Sequence, residues 1–220
     1  VQEVDKASAL TILTMEHNTL QMIRTATITD ATGRAGHLLT TISASMIALG
    51  FVAQVVTLTV LLTLLLVVFT ALFMIGLTTL FRTVELSIED LQAGLGINRI
   101  RAVYAELEPS TRDVFVRQLH DDTLGVEVDG GQTGWRKARR PRLIGNALGV
   151  PGLVNLVNGI NAGVVAGAAA GLLNAGLALS IVIGAIVAVA VICGFGVALG
   201  RIGRRGLAPI STRYPRNHPN

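Results

Sequence analysis

The sequence predicts an all-α integral membrane protein with four transmembrane helices, folded as two helical hairpins that carry cytoplasmic helical extensions. Three observations predict it. Residues 38–81 and 143–200, tracts of 44 and 58 residues, contain no Asp, Glu, Lys, Arg or His. Charged residues make up 15% of the 220-residue chain and hydrophobic ones 51%, against ~25% charged in a soluble domain. That leaves too few charges to cover a water-facing surface. Finally, all 18 Lys and Arg lie outside the two tracts.

The elements follow in chain order. Residues 1–37 form a cytoplasmic N-terminal segment, helical over 7–36, where Leu10, Leu13, His17 and Leu20 recur at three- and four-residue spacing. Gly33 is a loosening point before the membrane. A spanning helix needs ~20 residues at 1.5 Å rise to cross about 30 Å of hydrocarbon, so the first tract holds two spans, 38–56 and 60–81, with a turn at 54–59. Residues 82–142 follow as a cytoplasmic extension and basic connector. Val84, Ile88, Leu91, Leu95, Ile100, Val103 and Leu107 keep a near-heptad seam, which predicts that the second span runs on as a long helix. Gly94 and Gly96 can kink it and Pro109 ends it. The two cytoplasmic helices pack either on each other or on copies from neighbouring subunits. Ser110-Thr111-Arg112-Asp113 fits a capping box opening a helix to about His120, and 121–134 reads as loop.

Trp135 followed by Arg136, Lys137, Arg139, Arg140 and Arg142 marks the approach to the second tract. The indole sits at headgroup depth and the five cations meet anionic lipid, at about 1 kcal/mol each. Without interleaved aromatics, and with a membrane starting at the next residue, this run is not a nucleic-acid site. Residues 143–150 lie at the interface. Pro151-Gly152 and Asn174-Ala175-Gly176 punctuate the second tract into spans of 152–173 and 177–199, and 201–220 is a basic, disordered tail.

Because neither hairpin turn carries charge, four spans put every cation on one side. By the positive-inside rule that side is the cytoplasm, with both termini in it and a bacterial inner membrane as the location. Other classes fall away. The first 36 residues are polar and mixed in charge, unlike a signal peptide. Residues 60–68 lack the alternation of a barrel strand. The single cysteine, Cys193, sits in an apolar tract and leaves no disulfide framework or cysteine metal site.

Two patterns in the third span bear on function. Gly159, Gly163, Gly167 and Gly171 recur every four residues and form a groove for close helix approach, within one chain or between subunits of an oligomer. Asn155, Asn158 and Asn161 form a stripe that either hydrogen-bonds to a neighbouring helix or lines a pathway. No carboxylate or cation lies at membrane depth, which disfavours an ion-coupled transporter. No phosphate loop, His-Glu-x-x-His or Gly-x-Ser-x-Gly motif is present, so no catalytic, cofactor-binding or metal residues are assigned. His120-Asp121-Asp122 reads as a solvated helix end, and His17 and His37 as packing or interfacial residues.

Glu16-His17, Arg24-x-Ala26-Thr27, Gly33-Arg34-Ala35, Ile88-Glu89-Asp90 and Gly96-Ile97-Asn98-Arg99-Ile100-Arg101, with Tyr104, Leu107 and Pro109, resemble a group of uncharacterised bacterial multi-pass membrane proteins. The likeness covers somewhat under half the chain. It implies cytoplasmic ends and carries over no activity. Two spans flanked by cytoplasmic helices also look, in architecture alone, like membrane effector modules of bacterial nucleotide-signalling defence systems. The functional expectation is a non-enzymatic membrane protein without cofactor. It self-associates or serves a membrane-protein partner as scaffold or accessory subunit, in contact with anionic lipid and not nucleic acid. The alternative is an oligomeric pore lined by the third span.

Overall fold

A computed structural model describes residues 6–122, 149–207 and 211–215. Helix α1 covers Lys6–Val52 and α2 covers Leu58–Leu107. A 3-10 turn follows at Pro109–Val114, then α3 at Val150–Leu172 and α4 at Leu177–Leu207. Among the described residues there is no strand, and four helices are long and apolar enough to cross a membrane.

Several details differ from the sequence expectation. Helix α1 runs through Gly33 without interruption, and α2 through Gly94 and Gly96. Gly96 serves packing instead: a β-carbon there would come within 2.8 Å of Leu20 Cδ1. No capping box forms at Ser110. Its hydroxyl is taken by the Glu108 carboxylate at 2.6 Å, while the Thr111 hydroxyl donates to the Glu108 carbonyl at 2.8 Å, so the chain closes only a short 3-10 turn behind Pro109. Helix α4 continues to Leu207, into the stretch read from sequence as tail.

The turns have identifiable causes. Between α3 and α4, Asn174 takes φ 59° and Gly176 φ 77°. The Ala175 N–H donates to the Ala170 carbonyl and the Asn174 N–H to the Gly171 carbonyl, both at 3.1 Å. This is a Schellman closure with asparagine, the residue after glycine best suited to left-handed backbone, at the critical position. Between α1 and α2 the chain turns within five residues, and the Leu61 N–H donates back to the Thr57 carbonyl at 3.0 Å.

The chain divides into two compact units, each drawing on both long helices. The apolar unit contains Asp30–Glu85, α3, and α4 up to Gly203. Its core joins Ala35, Leu38, Ile42 and Leu49 of α1 to Phe69, Leu72 and Leu80 of α2 and Val154 of α3. Large apolar side chains such as Phe51, Val67, Ile181 and Val189 are exposed on its outer faces. Hydroxyls in the same helices are satisfied locally: Thr40, Ser45, Thr63 and Thr70 each donate to the carbonyl four residues earlier, at 2.6–2.9 Å. Backbonding of this kind makes threonine and serine compatible with hydrocarbon.

The polar unit is built from the first part of α1, α2 from Leu86 onward, and the C-terminal segment. Leu86, Ala93, Leu95, Ile97, Ile100 and Ala102 are its buried apolar residues on α2. Arg24 Nε donates to Asp90 Oδ1 at 2.8 Å and ties α1 to α2. The Thr14 and Tyr104 hydroxyls share a 3.3 Å hydrogen bond, and the His17 and Tyr104 rings lie 6.2 Å apart.

Candidate functional site

Within the apolar unit, α3 starts from extended Gly149, with Pro151 in the first turn where its missing N–H goes unneeded. At 3.6 residues per turn, positions three apart fall on a slanting stripe. Asn155, Asn158 and Asn161 occupy it and are all buried, at 6%, 0% and 1% exposure. Asn155 Nδ2 donates to the Ile192 carbonyl of α4 at 3.0 Å. The Asn158 carboxamide lies against Gly76 of α2, where any β-carbon would overlap it. Four atoms of the stripe find no hydrogen-bond partner among the described residues: Asn155 Oδ1, both Nδ2 and Oδ1 of Asn158, and Asn161 Nδ2. Each unpaired buried amide group costs about 1–3 kcal/mol, so such a concentration is not accidental packing.

The glycine face is occupied within the chain. A β-carbon on Gly163 would come 2.6 Å from the Gly184 carbonyl oxygen of α4, and one on Gly184 would come 2.7 Å from that of Gly163. Gly167 meets the Ser180 carbonyl at 3.1 Å in the same sense, and Gly159 meets Ile192 and the Ala188 carbonyl. Gly171 instead faces Leu62 of α2 and the Ser180 hydroxyl. The four glycines therefore serve the α3–α4 contact and an α2 contact within the chain.

In the polar unit, Asn98, Arg99 and Arg101 of α2 are gathered by a group the sequence does not advertise. Asp121 is 1% exposed. Its carboxylate accepts Arg99 Nε at 2.9 Å and the backbone N–H groups of Arg213 and Tyr214, the latter at 2.6 Å. The Asp121 N–H donates to the Tyr214 carbonyl at 3.2 Å. Asn98 Nδ2 donates to the His120 carbonyl at 3.1 Å, and Arg101 donates to Asn98 Oδ1 at 3.0 Å. The solvated reading of His120-Asp121-Asp122 is thus wrong for Asp121, whose desolvated charge is held by a guanidinium and two amides. Residues 211–215, assigned from sequence to a disordered tail, are tied down there.

Asp121 and Gly76 escape sequence reasoning for different reasons. The partners of Asp121 are 22 and about 92 residues away in sequence. Gly76 did leave a signal: it is the only glycine between Gly50 and Gly94, set among large apolar residues. The lipid-contact set Trp135, Arg136, Lys137, Arg139, Arg140 and Arg142 lies outside the described residues. Among the described residues no three His, Cys, Asp or Glu side chains gather as a metal site, and Cys193 is a free, exposed thiol. Compared with models of known protein families, with curated proteins and with solved structures, the chain has no match.

Proposed function

We propose that the chain is a non-enzymatic four-span protein of the bacterial inner membrane, folded as two helical hairpins with its polar unit and both termini in the cytoplasm. In this reading it acts as a scaffold or accessory subunit. The observation that carries the reading is how the polar unit uses its charges. Arg24 and Asp90, and Arg99 and Asp121, are ion pairs between elements and hold helices and chain ends together. A polar unit braced in this way suits assembly more than turnover. Association with further copies or with a membrane-protein partner uses faces other than the glycine one, which α4 covers. Trp135 and the cations of 136–142 contribute attraction to anionic headgroups.

The pore reading draws on the asparagine stripe, and burial counts against it: none of the three is more than 6% exposed, whereas a conducting path needs them open to bulk solvent. Two measurements test the proposal. In a Cys193→Ser background, Gln54→Cys and Asn174→Cys should label only from the side opposite Arg140; labelling from the same side overturns the topology. Purified protein in liposomes should pass neither ions nor small solutes, and its native mass should reveal a defined assembly. Solute flux would reinstate the pore, and a bare monomer without a co-purifying partner would refute the scaffold.

A further inference from the structure

The asparagine stripe carries a second conclusion that does not depend on the functional reading. Its unpaired atoms are two acceptors, Asn155 Oδ1 and Asn158 Oδ1, and two donors, Asn158 Nδ2 and Asn161 Nδ2. For Asn155 and Asn158 the unpaired set is the same whichever way the amides are turned. Asn155 must present nitrogen to the Ile192 carbonyl, and both ends of Asn158 are unpaired whichever way it is turned. Neighbours three apart on a helix have β-carbons ~5–6 Å apart. Each successive pair, Asn155 with Asn158 and Asn158 with Asn161, therefore offers one acceptor and one donor from neighbouring positions on the helix.

That pattern selects the guest by chemistry. A cation would take the two oxygens and leave two N–H groups facing positive charge. An anion would have the opposite conflict. Only a neutral molecule that donates and accepts at once satisfies both members of a pair, and water does so in the smallest volume. Gly76 lets the Asn158 carboxamide lie directly against α2, because a β-carbon at that position would overlap it. We propose that the Asn155–Asn158–Asn161 stripe, walled by Gly76, is a binding site for internal water, one molecule bridging each successive pair of carboxamides.

Enclosure at 0–6% exposure makes such water long-lived compared with surface hydration, which gives it a signature. Protein labelled with ¹⁵N-asparagine, in deuterated detergent free of glycerol, should show cross-relaxation of the slow-tumbling sign between water and the Asn158 carboxamide protons, and likewise at Asn161. Absence of those cross-peaks in the wild-type protein overturns the proposal. Their appearance only after glycerol is added overturns water as the guest in favour of a hydroxyl-bearing solute. Asn158→Leu should abolish the signal at Asn161, and Gly76→Ala should reduce that at Asn158 at least several-fold. Either variant keeping the wild-type signals while retaining wild-type helical circular dichroism refutes the bridging arrangement. If both variants fail to fold, the wild-type spectrum alone decides.

Discussion

Substituting Gly163 by Ala tests whether the glycine ladder holds α3 to α4. A methyl group there would stand 2.6 Å from the Gly184 carbonyl oxygen and 2.9 Å from Ala188 Cβ. The first of these is backbone and cannot rotate away. Restoring ordinary contact requires the helices to part by roughly 0.8 Å, a gap that forfeits a quarter to a half of the dispersion attraction between atoms already touching. The loss extends to the Gly159 and Gly167 contacts on the same face. Overpacking of this kind costs about 1–3 kcal/mol, and the better helix propensity of alanine returns at most ~1 kcal/mol. A net destabilisation of about 1–2 kcal/mol is expected. Gly33 is the control, since it lies inside α1 with nothing within 4 Å of an added β-carbon. Gly33→Ala should therefore gain up to ~1 kcal/mol. Unfolding of the detergent-solubilised protein by SDS, followed by circular dichroism, should move the two variants in opposite directions. Because the partner of Gly163 is in the same chain, the native mass should stay constant. Equal stability of the two variants, or a drop in mass for Gly163→Ala, refutes the reasoning.

Three other perturbations probe the polar unit. Asp121→Ala removes the acceptor for Arg99 and for the Arg213 and Tyr214 amides; it should cost about 1.5–3 kcal/mol locally and speed tryptic cleavage after Arg213, and unchanged cleavage would refute the clamp. Arg24→Ala and Asp90→Ala should couple in a double-mutant cycle by about 1 kcal/mol, the upper end for a partly exposed pair, whereas additive effects would mean that the 2.8 Å bond contributes nothing. Burial first, and the Arg101 guanidinium second, hold the His17 pKa below its ordinary 6.5. The folded protein then binds this proton less readily than the unfolded chain, so stability is complete above about pH 6.5 and declines as pH falls through the lowered value. His17→Gln should flatten that slope in unfolding measured from pH 7.5 to 5, and a wild-type protein that gains stability on acidification has the opposite sign.

Most of the helical content was legible in the uncharged tracts at 38–81 and 143–200, whose side chains offer backbone polar groups few partners, and helices satisfy those groups internally. Pro109 and Asn174-Ala175-Gly176 act through local backbone physics, so they were readable one residue at a time. Capping at Ser110 was not, because two local partners compete for one hydroxyl and the Glu108 carboxylate holds it. Asp121 was opaque for a stronger reason. Whether a surface-looking aspartate is desolvated depends on residues 211–215 folding back upon it, and nothing in residues 118–124 encodes that.

The third span marks the boundary of what periodicity can say. A four-residue glycine repeat defines a groove but not its occupant, because a helix backbone from the same chain and one from another copy present the same atoms. The occupant is fixed by the four-residue turn at 173–176, which brings Gly184 opposite Gly163 and Ser180 opposite Gly167. The sum of paired positions stays constant along the contact, as antiparallel neighbours require. With the groove filled by α4, the asparagines round the side of α3 must look elsewhere. Asn155 reaches the Ile192 carbonyl, and Asn158 turns to the one glycine of the second span. Loss of Gly76 should thus matter more to the stripe than loss of any ladder glycine. If Gly163→Ala disturbed the Asn158 carboxamide resonances more than Gly76→Ala, the two contacts would not be separable in this way.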